Sequence, residues 1–278
     1  MQSNLNTCGS GFAAGTPVHT NKGLVPIEQL EIGDYVLSSP DNEKGLKEYK
    51  RITSVYKSLE KKEIFRLRHV TRLPSRFKDG HYEMETLYLT ENHPVWVSRI
   101  GENTAEDMSY DLGVEINPDD GPGWQFAKDV GGMEGAIISK GPTFLGDIWA
   151  GGLYSTDIEN VFWAKPTGYD PGLIMDFRRN LQTIYFIGDR LDDCLSPESM
   201  YRFGNSVIYG DPEKHPLVHN FLKMIRDTGL RHEFYGDAKV TVYNIDVEDF
   251  HTYYVGELGL WVHHNAHPVK RANPNSGH

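Results

Sequence analysis

The stretch Val242-Tyr243-Asn244-Ile245-Asp246-Val247-Glu248-Asp249-Phe250-His251-Thr252-Tyr253-Tyr254-Val255-Gly256-Glu257-Leu258-Gly259-Leu260-Trp261-Val262-His263-His264-Asn265 decides how this chain folds. It is rich in β-branched and aromatic side chains, and Gly256 and Gly259 punctuate it. It reads as three strands, over 239–247, 251–255 and 260–262, with residues 256–259 as the turn between the last two. The run closes on His263, His264 and Asn265, two imidazoles and a carboxamide in succession.

Two further blocks lie near the other end of the chain. One is Gly11-Phe12-Ala13-Ala14-Gly15-Thr16-Pro17-Val18, followed by Pro26-Ile27-Glu28 and Ile32-Gly33-Asp34-Tyr35-Val36-Leu37. Its last segment reads as a short half-buried strand entered through a Gly-Asp turn. The other is Leu89-Thr90-Glu91-Asn92-His93-Pro94-Val95, in which residues 90–93 break two strands over 86–89 and 94–97. Residues 62–70 alternate, setting Ile64, Arg66 and Arg68 on one face and Phe65 and Leu67 on the other. A faint repeat runs at a constant offset of 100 residues: Ile27, Leu30, Ile32, Asp34, Val36 and Leu37 are echoed by Ala127, Val130, Gly132, Glu134, Ala136 and Ile137. Residues 100–123 carry seven acidic and no basic residues and read as a solvated loop.

Texture changes over 141–235. A helix is predicted at 216–228, with Pro216 at its first position, Leu217, Phe221, Met224 and Ile225 on one stripe, and Gly229 as the stop. Ser196-Pro197-Glu198 reads as another helix start. Residues 266–278 are rich in Asn, Pro and His and read as a tail or linker.

Composition narrows the function classes. The 278 residues are 38% hydrophobic and include 28 Gly and 15 Pro, a turn-rich globular balance that favours short strands. A net charge of −11 argues against nucleic acid, which needs a basic face. Two cysteines, Cys8 and Cys194, supply no disulfide framework or zinc ribbon. No apolar run approaches the ~20 residues of a membrane helix, and residues 1–7 lack the basic and apolar regions of a signal peptide.

In their order and spacing the three blocks resemble the Hint (Hedgehog/intein) superfamily, and most closely its bacterial intein-like and pretoxin modules. The resemblance covers about residues 11–98, 124–138 and 239–265. It implies a mainly β horseshoe of two pseudo-symmetric halves whose chain ends meet in one site, and it implies self-processing rather than turnover of a substrate. The expected organisation is a Hint N-terminal part over 1–140, a mixed α/β insert over 141–235, a Hint C-terminal part over 236–265 and a tail over 266–278.

Within that resemblance Asn265 is the nucleophile. Its side-chain nitrogen attacks its own main-chain carbonyl, forming a succinimide and releasing the amine of Ala266. Positioning supplies up to ~7–11 kcal/mol to favourable intramolecular reactions of this kind. His264 is expected to donate to the scissile carbonyl oxygen, and His251 to shuttle a proton. The blander alternative is a turn asparagine among surface histidines. Thr90 and His93 match the family's Thr-x-x-His block, in which the histidine holds the amide of the N-terminal junction and the threonine holds the loop. Their blander reading is a strand end capped before Pro94.

Three positions depart from the pattern. The family's thiol or hydroxyl nucleophile, five residues before Thr16, falls on Gly11, so the N-terminal acyl shift has no nucleophile there. Cys8 is a possible substitute, and the glycine is either natural or a replacement. Asn244 stands where many relatives carry Asp, and Ala266 supplies no acceptor nucleophile for splicing. Cleavage at Asn265–Ala266 is the step left intact. The alternative is an inactive Hint scaffold presenting its insert or an adjacent toxin or effector domain.

The insert lacks the acidic dodecapeptide of homing endonucleases. His215 and His219 share a helical face, a weak metal pair with His232 and Glu213 as further candidates, against a solvated helix end as the plainer reading. Trp149, Tyr154, Phe162, Trp163 and Tyr169 read as core. No cofactor is expected. Expected partners are the chain's own flanking segments and a downstream toxin or effector, with neither nucleic acid nor membrane, in a larger secreted bacterial protein.

Overall fold

The computed structural model describes residues 9–41, 45–71, 83–99, 123–130, 135–138, 141–149 and 238–265, with the short strands between 153 and 209 given below. The chain divides into two compact units, residues 1–150 with 241–278, and residues 151–240. Each is described by itself.

The first unit begins with β1 (Phe12–Ala13), β2 (Pro17–Thr20), β3 (Gly23–Pro26), β4 (Tyr35–Ser38), β5 (Glu48–Lys57), β6 (Lys62–Glu63), β7 (Phe65–Thr71) and β8 (Glu83–Leu89). It continues with β9 (Pro94–Arg99), β10 (Gly123–Phe126), β11 (Gly135–Ile138) and β12 (Gly141–Trp149). In the second unit are β13 (Leu153–Ser155), β14 (Val161–Ala164), β15 (Gly172–Asp176), β16 (Thr183–Ile187), β17 (Met200–Phe203), β18 (Ser206–Tyr209) and β19 (Lys239–Val240). The chain then returns to the first unit with β20 (Val242–Val247), β21 (Thr252–Val255) and β22 (Leu260–His263).

Fourteen strands of the first unit form one sheet, in the order β10-β9-β11-β12-β7-β8-β1-β20-β5-β4-β2-β21-β22, with β3 on β2. Pairings of β22 with β9 and with β11 turn the far end of this path back on its start. The fold is mainly β, as expected. Its core includes Phe12, Val18, Ile52, Leu87, Val95 and Val262, all at most 1% exposed and drawn from strands far apart in sequence.

The repeat at offset 100 is structural. Strand β3, a 3-10 turn over Ile27–Gln29 and β4 are matched by β10, a 3-10 turn over Ala127–Asp129 and β11. Ile27, Leu30 and Val36 are buried, and so are Ala127, Val130 and Ala136. The echo therefore preserves inward-facing positions while allowing their size to change.

The Gly-Thr-Pro and Pro-Ile-Glu motifs explain each other. Gly15 adopts a φ of +83°, a conformation that costs glycine little, and its N–H donates to Glu28 Oε2 at 2.8 Å. The Thr16 hydroxyl donates to Ala13 O at 2.8 Å, closing the turn that aims β1 into the sheet.

The expected alternation over 62–70 is broken. Ile64 falls between two strands, and Ile64, Arg66 and Leu67 are all buried. Strand β7 is a central strand between β8 and β12, so an amphipathic pattern does not describe it.

In the second unit, β13–β16 form a four-stranded antiparallel meander, and β17 and β18 form a hairpin. The described elements there are strands. The predicted helix at 216–228, the helix start at Ser196, and His215, His219, His232 and Glu213 lie outside the described residues, as do Cys8, Cys194, the loop over 100–122 and the tail from Ala266. Of the aromatic run assigned to core, Phe162 is buried.

Candidate active site

Strand register brings the two ends of the first unit together. In β1, Phe12 faces Tyr243 of β20 on one side and Leu89 of β8 on the other. This places Gly11, at the mouth of β1, beside both Thr90 and Asn244. Across the C-terminal hairpin Thr252 faces His263, and His264 N–H donates to His251 O at 2.8 Å.

At the N-terminal side, Gly11 N–H donates to Thr90 Oγ1 at 3.1 Å, and Thr90 N–H donates to Gly11 O at 2.9 Å. The Gly11 amide is thus held by Thr90 and not by His93. A Cβ on Gly11 would lie 2.4 Å from Tyr243 O and 2.9 Å from Tyr243 C, so the place of a nucleophile's side chain is taken by backbone. His93 is fully buried, edge-on to Phe12 with ring centroids 4.3 Å apart. Neither of its ring nitrogens has a hydrogen-bond partner among the described residues. Burial, reinforced by His264 and His263, holds its pKa well below the usual value, so the ring is neutral.

On the C-terminal side, His251 sits outside the strand that sequence pattern assigned to it. A turn over residues 248–250 gives Asp249 a φ of +65° and His251 a φ of +55°. Its Nδ1 lies 2.7 Å from Asp246 Oδ1. A carboxylate only accepts, so the proton of a neutral ring stays on Nδ1 and Nε2 keeps a free lone pair for proton transfer. The His264 ring stacks on Tyr56 at 4.5 Å and 23°. Its Nδ1 is buried without a partner among the described residues. Burial lowers the His264 pKa, opposed by Asp246 and assisted by His251.

His263, which sequence pattern alone did not mark, completes the group. Its ring packs edge-on against Trp124 at 5.1 Å and lies 6.2 Å from the His251 ring. Its Nδ1 accepts the Asn265 N–H at 2.9 Å. Burial first, then His251 and His264, push its pKa down to about 4 against a smaller opposing effect of Asp246. Asn265 itself is exposed, two residues past the end of β22.

Asn244 joins the two sides. It is 1% exposed, and its Nδ2 donates to Ser10 O at 3.3 Å and to His264 O at 3.1 Å. Its Oδ1 accepts from Tyr253 Oη at 2.7 Å and from Ile245 N–H at 2.8 Å. Two donors and an acceptor are needed at once. A carboxamide satisfies all four contacts; a carboxylate would meet two carbonyl oxygens with negative charge. The contacts at this position therefore call for Asn rather than Asp.

The signals for the missed residues were faint. His263 stands two residues before Asn265, the spacing at which a polar side chain can accept a backbone N–H, as in an Asx turn. Asp246 and Tyr56 become partners of His251 and His264 only through a turn and a strand pairing. Among the described residues no group of three or more His, Cys, Asp or Glu is placed to hold a metal.

No protein-family model matches the chain, and no curated protein sequence does. Among solved structures it is similar to the bacterial intein-like domain from Clostridium thermocellum, at 18% identity over 91% of this chain and 97% of that one, with a TM-score of 0.42. It is also similar to the gp41-1 intein, at 11% identity over 93% of this chain and all of that one, with a TM-score of 0.38. A DnaB intein from Synechocystis sp. PCC 6803 matches at 9% identity over 93% of this chain and 100% of that one, with a TM-score of 0.37.

Proposed function

We propose that the chain is a self-processing module whose reaction is cyclisation of Asn265 with cleavage of the Asn265–Ala266 bond. The observation that carries this reading is the meeting of both chain ends on Asn244, beside the histidines that flank Asn265. In the step itself, Asn265 Nδ2 bonds to the Asn265 main-chain carbon, the bond to Ala266 nitrogen breaks, and the proton lost by Nδ2 ends on the leaving amine. His251 is the proton carrier, with Asp246 setting its tautomer. His264, held against Tyr56, is the donor to the scissile carbonyl oxygen. The N-terminal acyl shift is absent from the scheme because Gly11 offers no nucleophile. The released product is whatever follows residue 265, a toxin or effector domain in the polymorphic-toxin arrangement.

Mass spectrometry of the purified chain, incubated near pH 7, tests this. A fragment ending in Asn265 or its succinimide is expected, and Asn265→Ala and His264→Ala are each expected to abolish or strongly slow its appearance. An intact mass after prolonged incubation removes the proposal. It would favour the second reading, an inactive scaffold that presents its insert or a neighbouring domain, for which the backbone-filled space at Gly11 speaks.

A further inference from the structure

The peptide group between His264 and Asn265 is held at both of its polar atoms. Its carbonyl oxygen accepts from Asn244 Nδ2 at 3.1 Å, and its N–H donates to His263 Nδ1 at 2.9 Å. Strand β22 ends at His263, so among the described residues no strand pairing fixes this peptide, and without these two bonds Asn265 would be free to fray. We infer that Asn244 and His263 form a two-point clamp on the 264–265 peptide that sets the attack geometry of Asn265, and that Asn244 ties this clamp to the Ser10 carbonyl at the other chain end.

Neither residue touches the reacting atoms; both are positioning residues. Cyclisation needs the side-chain nitrogen of Asn265 aimed at its own carbonyl carbon, which depends on the backbone on the N-terminal side of Asn265 being fixed. The clamp supplies that fixed frame. It also bears on a competing reaction. When residue 265 is loose, Ala266 nitrogen can instead attack Asn265 Cγ and expel ammonia, and water opens the resulting ring to an uncleaved chain one mass unit heavier. Anchoring the 264–265 peptide steers Asn265 toward cleavage rather than this deamidation.

The clamp's parts are themselves supported. Asn244 is oriented by the Ile245 N–H and the Tyr253 hydroxyl on its oxygen side. His263 is packed against Trp124, and the low pKa caused by its burial leaves Nδ1 free to accept. The Ser10 carbonyl precedes Gly11, so the bond a Hint module would cleave at its N-terminal side serves here as a strut of the C-terminal site.

The inference rests on the cleavage reading, and two measurements separate the two. In the Asn265→Ala background, which keeps the residue-265 amide, hydrogen exchange by NMR reports the clamp without any cleavage. The residue-265 amide is expected to be protected and to lose that protection in Asn244→Asp and His263→Ala, while His263→Asn, which offers Oδ1 near the place of Nδ1, retains it. In the otherwise native chain, Asn244→Asp and His263→Ala are expected to slow cleavage by about 10–100-fold, the scale of a small misplacement of reacting groups, and to raise the deamidated fraction. The double variant is expected to be slowed little more than the slower single variant, because both contacts hold one peptide. Equal protection of the residue-265 amide in all variants overturns the clamp, as does a wild-type cleavage rate in folded Asn244→Asp and His263→Ala. Protection without any cleavage in the native chain leaves the clamp standing and removes the proposed reaction.

Discussion

Gly11 is surrounded by backbone on the side where a Cβ would point, with Tyr243 O at 2.4 Å from that position. A flexible side chain in the way could swing aside; a carbonyl in a paired strand cannot do so without moving β20. Gly11→Cys therefore does more than add a thiol. It forces β1 and β20 apart, and overpacking of this kind costs about 1–3 kcal/mol. Gly11→Ala and Gly11→Cys are both expected to lower the melting temperature. Gly11→Cys is expected to show no cleavage before residue 11 when thiols are added, because the thiol arrives only with a displaced strand. Thiol-dependent release of residues 1–10 in Gly11→Cys, at unchanged melting temperature, would contradict this account.

At the scale of elements, the hairpin of β21 and β22 is what delivers His263, His264 and Asn265, and its turn is secured from a distance. Gly256 takes a φ of +83°, and the buried Glu85 carboxylate on β8 accepts the Glu257 N–H at 2.6 Å and the Leu258 N–H at 3.0 Å. His69 Nε2 lies 3.1 Å from the same carboxylate. A carboxylate can face two N–H donors with its two oxygens, whereas an amide must turn its NH2 toward one of them. Glu85→Gln is thus expected to lose about 1.5–3 kcal/mol, the range for a hydrogen bond to a charged group. Urea unfolding would measure the loss, with faster amide exchange at residues 257 and 258 locating it.

Elements also mark where sequence was legible. Alternation was enough for β4, and short apolar or aromatic runs bounded by turn residues were enough for β9, β21 and β22, whereas the strand read over 239–247 is split at Thr241 into β19 and β20. The 100-residue echo survived because Ile27, Leu30 and Val36 and their counterparts are all buried, which restricts them to apolar types. What connects distant residues was not legible. Trp96, Trp124 and Trp261 form one aromatic cluster with centroids 4.9–5.1 Å apart, yet they come from three separate strands. The site shows the same limit: His251, His264 and Asn265 stand in a recognisable motif, whereas the Tyr56 stack and the Asn244 bridge depend on tertiary pairing. His251 itself was misplaced by its neighbours' β pattern, because a left-handed residue leaves no periodic signal.

At the scale of the molecule, the first unit buries His93 fully and His263 and His264 in part, and the pKa of each is lowered. His93 is fully buried, with its pKa held well below normal by burial and by His264 and His263. His263 is pushed to about 4, and His264 is lowered as well. In the unfolded chain each of these titrates near pH ~6.5. The folded pKa is the lower one, so as pH falls the unfolded chain takes up protons first. Stability from these groups is full above about pH 6.5 and declines as pH drops below it, for His263 down to its folded value of about 4. Between its folded and unfolded pKa values, His93 makes stability rise with pH. The melting temperature is therefore expected to fall steadily from pH 7 to pH 5. His93→Gln, which cannot take up a proton, is expected to flatten that decline while lowering stability at pH 7.5. The comparison requires thermal melts of both proteins at half-unit pH intervals. A wild-type profile that is level between pH 7 and 5, or a His93→Gln profile just as steep as wild type, would show that the buried imidazole is not the group the fold is holding neutral.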